Sequence, residues 1–209
     1  METLSTWRLP SPLLLLAALL LLPAQAWAAP AQVILLRHAD KDPGRGDYNL
    51  SPQGFERAIR LGRMIPACFG VPSKIGVFEF DPVSTKNSRS YQTAVPLAVA
   101  TGLQINLIPG SRDHSFSFGQ QLLKAKAWQG SKAVLIWEHR KLPELAKGLG
   151  WAAMAPIAAD DFDELVVLTW PSAAAAPRVQ RFSQADLFQQ PCAQEALATV
   201  GPGANGIPI

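Results

Sequence analysis

The sequence predicts an α/β fold: a three-layer α/β/α sandwich around a mainly parallel sheet. Three observations predict it. Short apolar runs at 33–36, 133–137 and 165–170 read as strands buried on both faces. Segments with helical spacing alternate with them, as a parallel sheet requires. Two of the apolar runs also stop abruptly at a histidine, His38 and His139. Open α/β sheets bind ligands beyond the carboxyl ends of their strands.

The elements follow in order. Residues 1–28 read as a secretory signal peptide. Arg8 precedes an almost pure Leu/Ala stretch at 13–22, and Ala24-Gln25-Ala26 and Ala26-Trp27-Ala28 offer small-x-small cleavage sites. The apolar stretch is shorter than the ~20 residues that span a bilayer. No cysteine lies nearby to carry a lipid. A first strand, 33–36, runs into Arg37 and His38, and a polar loop follows to Leu50. Ser51-Pro52 opens a helix, serine as N-cap and proline at the first position. Phe55, Ile59, Gly62 and Ile65 form its expected buried face, with Pro66 at its end. Residues 75–80 are a second strand, 81–87 a loop. A helix from about Ser88 turns Tyr91, Ala94, Val95 and Ala98 inward, and Gly102 follows its end. Residues 104–108 are a third strand, 109–118 a loop and 119–128 a helix. Strand four, 133–139, precedes a short helix at 143–149. Residues 165–170 are a fifth strand, and 178–182 a sixth, antiparallel or at an edge. A small-residue loop fills 173–176. The domain is expected over 29–191, with 192–209 a loose tail.

About 180 residues remain after the signal, enough for one domain with a full core. The formal charge of +3 is unchanged by its removal, because Glu2 and Arg8 leave together. Basic residues are scattered without interleaved aromatics, so no nucleic acid partner is expected, and no membrane contact once the signal is cleaved. Export would place Cys68 and Cys192 in an oxidising compartment, either as a disulfide or as two free thiols.

Four motifs carry the chemistry. Leu35-Leu36-Arg37-His38-Ala39 ends the first strand. Leu50-Ser51-Pro52-Gln53-Gly54-Phe55-Glu56-Arg57-Ala58 opens the first helix. Arg89-Ser90-Tyr91-Gln92-Thr93-Ala94 opens the second, and His139 ends the fourth strand. In this order they resemble the histidine phosphatase, or phosphoglycerate mutase-like, superfamily over residues 33–170. The chain has no room for the extra helical domain of the superfamily's large members, so it resembles the small branch. The resemblance implies a phosphoric monoester hydrolase without metal or cofactor. His38 would be the nucleophile that forms a phosphohistidine. Arg37 and Arg89 would grip the phosphoryl oxygens through guanidinium forks. His139 would donate to an oxygen as charge develops.

The general acid is not fixed by the motifs. Asp113, after the third strand, leads; Glu138 is the other choice, but strand alternation should turn it away from His139. Lys41 and Asn49 are candidate substrate contacts, and His114 is a further one beside Asp113. Two departures stand out. Ala39 replaces the more usual glycine, and Asp81-Pro82-Val83-Ser84-Thr85 replaces the usual Ser-Pro before the second arginine. The expected function is an exported phosphatase, periplasmic or secreted, acting on a small phosphomonoester or a phosphoprotein. The competing reading is a phospho-ligand binding module that has lost turnover. Mutase activity is disfavoured, because a mutase must keep water from its phosphohistidine and an exported protein meets little phosphoglycerate.

Overall fold

The structure is a computed structural model that describes residues 29–171 and 175–198. The expected signal peptide, part of the small-residue loop and the last residues of the tail lie outside the described residues.

Six strands form one sheet in the order β3-β2-β4-β1-β5-β6. They are β1 (Gln32–Arg37), β2 (Lys74–Phe78), β3 (Ile105–Ile108), β4 (Lys132–Trp137), β5 (Glu164–Thr169) and β6 (Arg178–Ser183). β1, β2, β3 and β4 are mutually parallel, whereas β5 runs antiparallel to both β1 and β6. The alternation of side chains splits the apolar runs between two cores. Val33, Leu35, Leu135, Trp137, Val166 and Leu168 face one layer of helices. Ile34, Leu36, Val134, Ile136, Leu165 and Val167 face the other. Both faces of the central strands are covered, which is why their sequences read as continuous apolar runs.

The α-helices among the described residues are α1 (Pro52–Phe69), α2 (Arg89–Thr101), α3 (Ser111–Lys124), α4 (Leu142–Gly148), α5 (Gln184–Leu187) and α6 (Pro191–Ala198). α1 starts as expected: Ser51 Oγ accepts from the Gly54 amide, and Pro52 occupies the first turn. Its buried face agrees with the expected one at Gly62 and Ile65 and differs elsewhere: Phe55 is half exposed, and Gly54, Ala58, Leu61 and Met64 are buried as well. The cause is close approach. A Cβ on Gly62 would stand 2.8 Å from the Pro96 carbonyl carbon, so α1 and α2 cross nearly backbone to backbone. Gly62 marks the crossing, and Leu61, Met64 and Ile65 are buried in the core beside it. Pro66 lies inside α1 and does not end it. In α2, likewise, Ser90, Thr93, Ala94 and Leu97 are buried, while Tyr91 and Val95 are partly exposed.

Two expected loops are helical. α3 begins at Ser111, where a loop was expected through 118; Gly110 enters it in the left-handed region at φ 70°, and the helix kinks at His114. Its polar opening, Ser-Arg-Asp-His-Ser, carries no apolar stripe that would betray a helix. The tail expected to be loose from residue 192 is folded through Ala198 as α6, with Ala193 fully buried beside Leu187 and Phe188. A disulfide between Cys68 and Cys192 joins α6 to the end of α1 across 124 positions of sequence. Such a long closed loop strongly restricts the unfolded chain. Replacing both cysteines by serine is expected to lower the unfolding free energy by about 2–5 kcal/mol. Urea unfolding checks this, and a variant as stable as the parent would contradict it.

Candidate active site

β1 and β4 are parallel neighbours in register, Arg37 opposite Trp137. The His38 amide donates to the Trp137 carbonyl, 3.1 Å away. The chain segments carrying His38 and His139 therefore leave the same sheet edge side by side. A cavity of about 490 Å³ opens there, lined by Arg37, His38, Lys41, Arg89, Glu138 and His139, among others. Of the residues expected to form the site, Arg37, His38, Arg89, His139 and Lys41 thus meet on one wall.

His38 is buried, and its Nδ1 lies 2.8 Å from the Ala39 carbonyl. The carbonyl can only accept, so Nδ1 carries the proton and Nε2 presents a lone pair. Burial, reinforced by the charges of Arg37, Arg89 and His139, lowers the His38 pKa to about 3. The ring is neutral at physiological pH. The sign of the linked stability follows. An unfolded histidine titrates near 6.5, so between about pH 6.5 and 3 the unfolded chain holds more protons at this position. Folding free energy is therefore lost as pH falls through that window. The Tm is expected to drop between pH 7 and 5, and to drop less in His38→Asn; equal slopes in the two proteins would contradict the burial of a neutral ring.

The loop after His38 is fastened at three points. The Ala39 amide donates to Thr93 Oγ1 at 3.0 Å. The Ser51 amide donates to the Asp40 carbonyl at 3.0 Å. Arg57 Nε pairs with Asp40 Oδ2 at 2.6 Å. Gly54 allows this packing, because a Cβ there would stand 2.1 Å from the Asp40 carbonyl oxygen. Gln92 fastens the far end of the same loop: its Oε1 accepts from the Leu50 amide, and its Nε2 donates to Asn49 Oδ1. The Gly54, Gln92 and Thr93 positions of the motifs are thus explained by the loop after His38 that they hold.

Arg37 is 2 % exposed. Its Nη1 donates to the carbonyls of Ala158 and Asp161, and its Nη2 to that of Ala159. The guanidinium carbon sits 3.9 Å above the Phe162 ring, which also lies beside His38. Burial lowers the Arg37 pKa to about 10, so the charge persists at neutral pH. Three of five N–H donors are engaged, and the buried Nε has no partner. Arg89 Nε donates to the Asn49 carbonyl at 2.8 Å, and its Nη2 to the Asp47 carbonyl. Its Nη1 has no hydrogen-bond partner among the described residues. Burial lowers its pKa, with Asp47 opposing.

Two expectations change here. Asp113 lies exposed in the first turn of α3 and does not line the cavity, and the neighbouring His114 is exposed as well. Glu138 does line it. β4 ends at Trp137, so strand alternation no longer applies, and the turn brings Glu138 Oε1 within 2.8 Å of His139 Nδ1. That contact lacks hydrogen-bond alignment. Glu138 also accepts from the Nε and the amide of Arg140. Burial and then the charge of Arg37 lower the His139 pKa. Asn49 is the other change: its carbonyl and side chain hold Arg89 and Gln92, and it does not line the cavity. Sequence reasoning missed Tyr48, Lys86, Arg140 and the 158–162 segment. The carbonyls that hold Arg37 lie more than 120 positions away and carry no side-chain signal.

No family sequence model and no curated protein sequence matches the chain. Solved structures do. The protein histidine phosphatase SixA complexed with tungstate superposes with a TM-score of 0.53 at 15 % identity, over 75 % of this chain and 99 % of that one. A mycobacterial glucosyl-3-phosphoglycerate phosphatase gives 0.50 at 16 %, over 73 % and 97 %. A phosphoglycerate mutase from Bacillus anthracis gives 0.51 at 9 %, over 83 % and 98 %. With its six-stranded sheet, flanking helices and motif order, the chain has the fold of the histidine phosphatase, or phosphoglycerate mutase-like, superfamily.

Proposed function

We propose that the protein is an exported histidine phosphatase that hydrolyses phosphomonoesters through a phosphohistidine on His38. The observation that carries the reading is the convergence of a neutral, oriented imidazole with two guanidinium groups and a second imidazole on one cavity.

A phosphomonoester brings close to two negative charges near neutral pH. The unspent donors of Arg37 and Arg89 grip its oxygens, and those donors cost no reorganisation because carbonyls already fix both groups. His38 Nε2 attacks phosphorus in line; the P–N bond forms as the ester P–O bond breaks. The leaving oxygen takes a proton, and Glu138 is the carboxyl group placed on the cavity to supply it. His139, protonated once the phosphate dianion is bound beside it, donates to an equatorial oxygen. Water then attacks the phosphoenzyme and gives a proton back to Glu138 as the P–N bond breaks, which releases orthophosphate and returns the neutral ring. The chemistry in this scheme is positioning and charge, as phosphoryl transfer requires.

The similar solved structures include a protein histidine phosphatase and a glucosyl-3-phosphoglycerate phosphatase, which supports the reaction class. Export is supported by the leader-like first 28 residues and by the Cys68–Cys192 disulfide, a bond suited to an oxidising compartment. The test is steady-state hydrolysis of phenyl phosphate by the purified protein, with and without orthovanadate. Turnover that vanadate suppresses is expected. Phosphate binding without turnover would leave a binding module instead.

A further inference from the structure

The cavity carries more positive charge than one phosphate needs. Arg37, Lys41, Lys86, Arg89 and Arg140 line it, against the single carboxylate of Glu138. Glu138 is already paired with Arg140. A bound phosphomonoester neutralises about two of the remaining charges. Lys41 and Lys86 are the two left over, and neither has an ion-pair partner among the described residues.

Lys86 is presented by a built loop. Asp81 Oδ1 accepts from the amides of Val83 and Ser84, and Oδ2 from Ser84 Oγ. The Asp81 amide donates to the Lys86 carbonyl at 3.0 Å, which closes the loop on the lysine. On either side of Lys86, Thr85 and Asn87 adopt positive φ, 59° and 71°. A β-branched residue in that region is strained by about 1–3 kcal/mol. In this conformation of the 85–87 segment, Lys86 and Asn87 both line the cavity. This is the segment where the sequence departs from the usual Ser-Pro. The volume of about 490 Å³ also suits a small organic ligand better than a lone phosphate.

We infer that Lys86, together with Lys41, forms a second anion subsite at the mouth of the cavity, so that the preferred ligands carry a second anionic group, phosphate or carboxylate, beside the phosphate bound at His38. The inference rests on the phosphate-binding part of the proposed function, and the test separates the two.

Titration calorimetry at low ionic strength compares propylphosphonate with propane-1,3-diyl bisphosphonate, which differ only in the second anion and cannot be hydrolysed. The full chain is expected to bind the bisphosphonate about tenfold more tightly, an advantage that shrinks as salt is added. Lys86→Gln is expected to reduce the ratio to about twofold, and Lys86→Arg to retain it. Equal affinities for the two probes, or a ratio untouched in Lys86→Gln, would overturn the subsite. Hydrolysis of phenyl phosphate is measured in parallel. A bisphosphonate preference without hydrolysis would remove the phosphatase reading and leave the subsite standing; hydrolysis without the preference would do the reverse.

Discussion

Replacing His38 by alanine is expected to lower kcat/KM for an aryl phosphate by at least about 10³-fold, the scale seen when a covalent nucleophile is removed. The geometry sets that expectation. Nδ1 is committed to the Ala39 carbonyl, so the one lone pair in the ring points from Nε2. The other imidazole on the cavity, His139, has its Nδ1 against Glu138 Oε1. An aryl leaving group needs little acid help, so the loss reports on the nucleophile alone. Near-normal turnover in His38→Ala would remove His38 from the mechanism.

The second large effect falls on Arg37. Its side chain holds three carbonyls of the 158–161 segment and stacks on Phe162, as well as facing the cavity. Arg37→Ala orphans those carbonyls and deletes the fork. It is expected to destabilise the fold by about 3–5 kcal/mol and to reduce kcat/KM by about 10²-fold or more. Arg37→Lys separates the two roles. A lysine restores charge and some carbonyl contacts but not the planar fork, so stability returns in part while activity stays low. Urea unfolding and kinetics on the same preparations check both halves. An alanine variant of parental stability, or a lysine variant of parental activity, would contradict this assignment.

How much of this was legible in the sequence depends on the range of the physics involved. β1, the cap at Ser51 and the left-handed Gly102 are local features, and local pattern found them. The pairing of His38 with His139 was legible because two apolar runs ended alike, and parallel neighbours in register bring like ends together. The buried faces of α1 and α2 were legible in part, at Gly62, Ile65 and Ala94; close helix crossing also buries Gly54, Ala58, Ser90 and Thr93, where a hydrophobic reading selects Phe55 and Tyr91. α3 was missed because its polar first turn is entered through Gly110 and kinked at His114. The Ala/Gly/Pro-rich composition of the tail hides α6, where Ala193 packs into the core and Cys192 is bonded to α1.

The site divided the same way. Motif residues that line the cavity were identified, as were Gln92 and Thr93 by type, but the work of the latter pair, fastening Ala39 and Leu50, needed coordinates. A β4 that continues through residue 139 favours Asp113 over Glu138, because alternation would turn Glu138 away from His139. Ending the strand at Trp137 reverses that order, because a turn has no alternation to obey. Phe162 and the carbonyls of 158–161 were invisible, since contacts made by backbone at long range leave no residue-type signature.

The proposed mechanism requires a covalent bond between phosphorus and His38 Nε2. Rapid acid-free quenching during turnover of phenyl phosphate, followed by peptide mass spectrometry and phosphorus NMR, tests it most directly. The predicted result is an acid-labile phosphoramidate on the peptide containing His38, with the phosphoryl group on Nε2. Steady turnover with no phosphopeptide trapped even when dephosphorylation is slowed, or with the phosphoryl group on another residue, would contradict it.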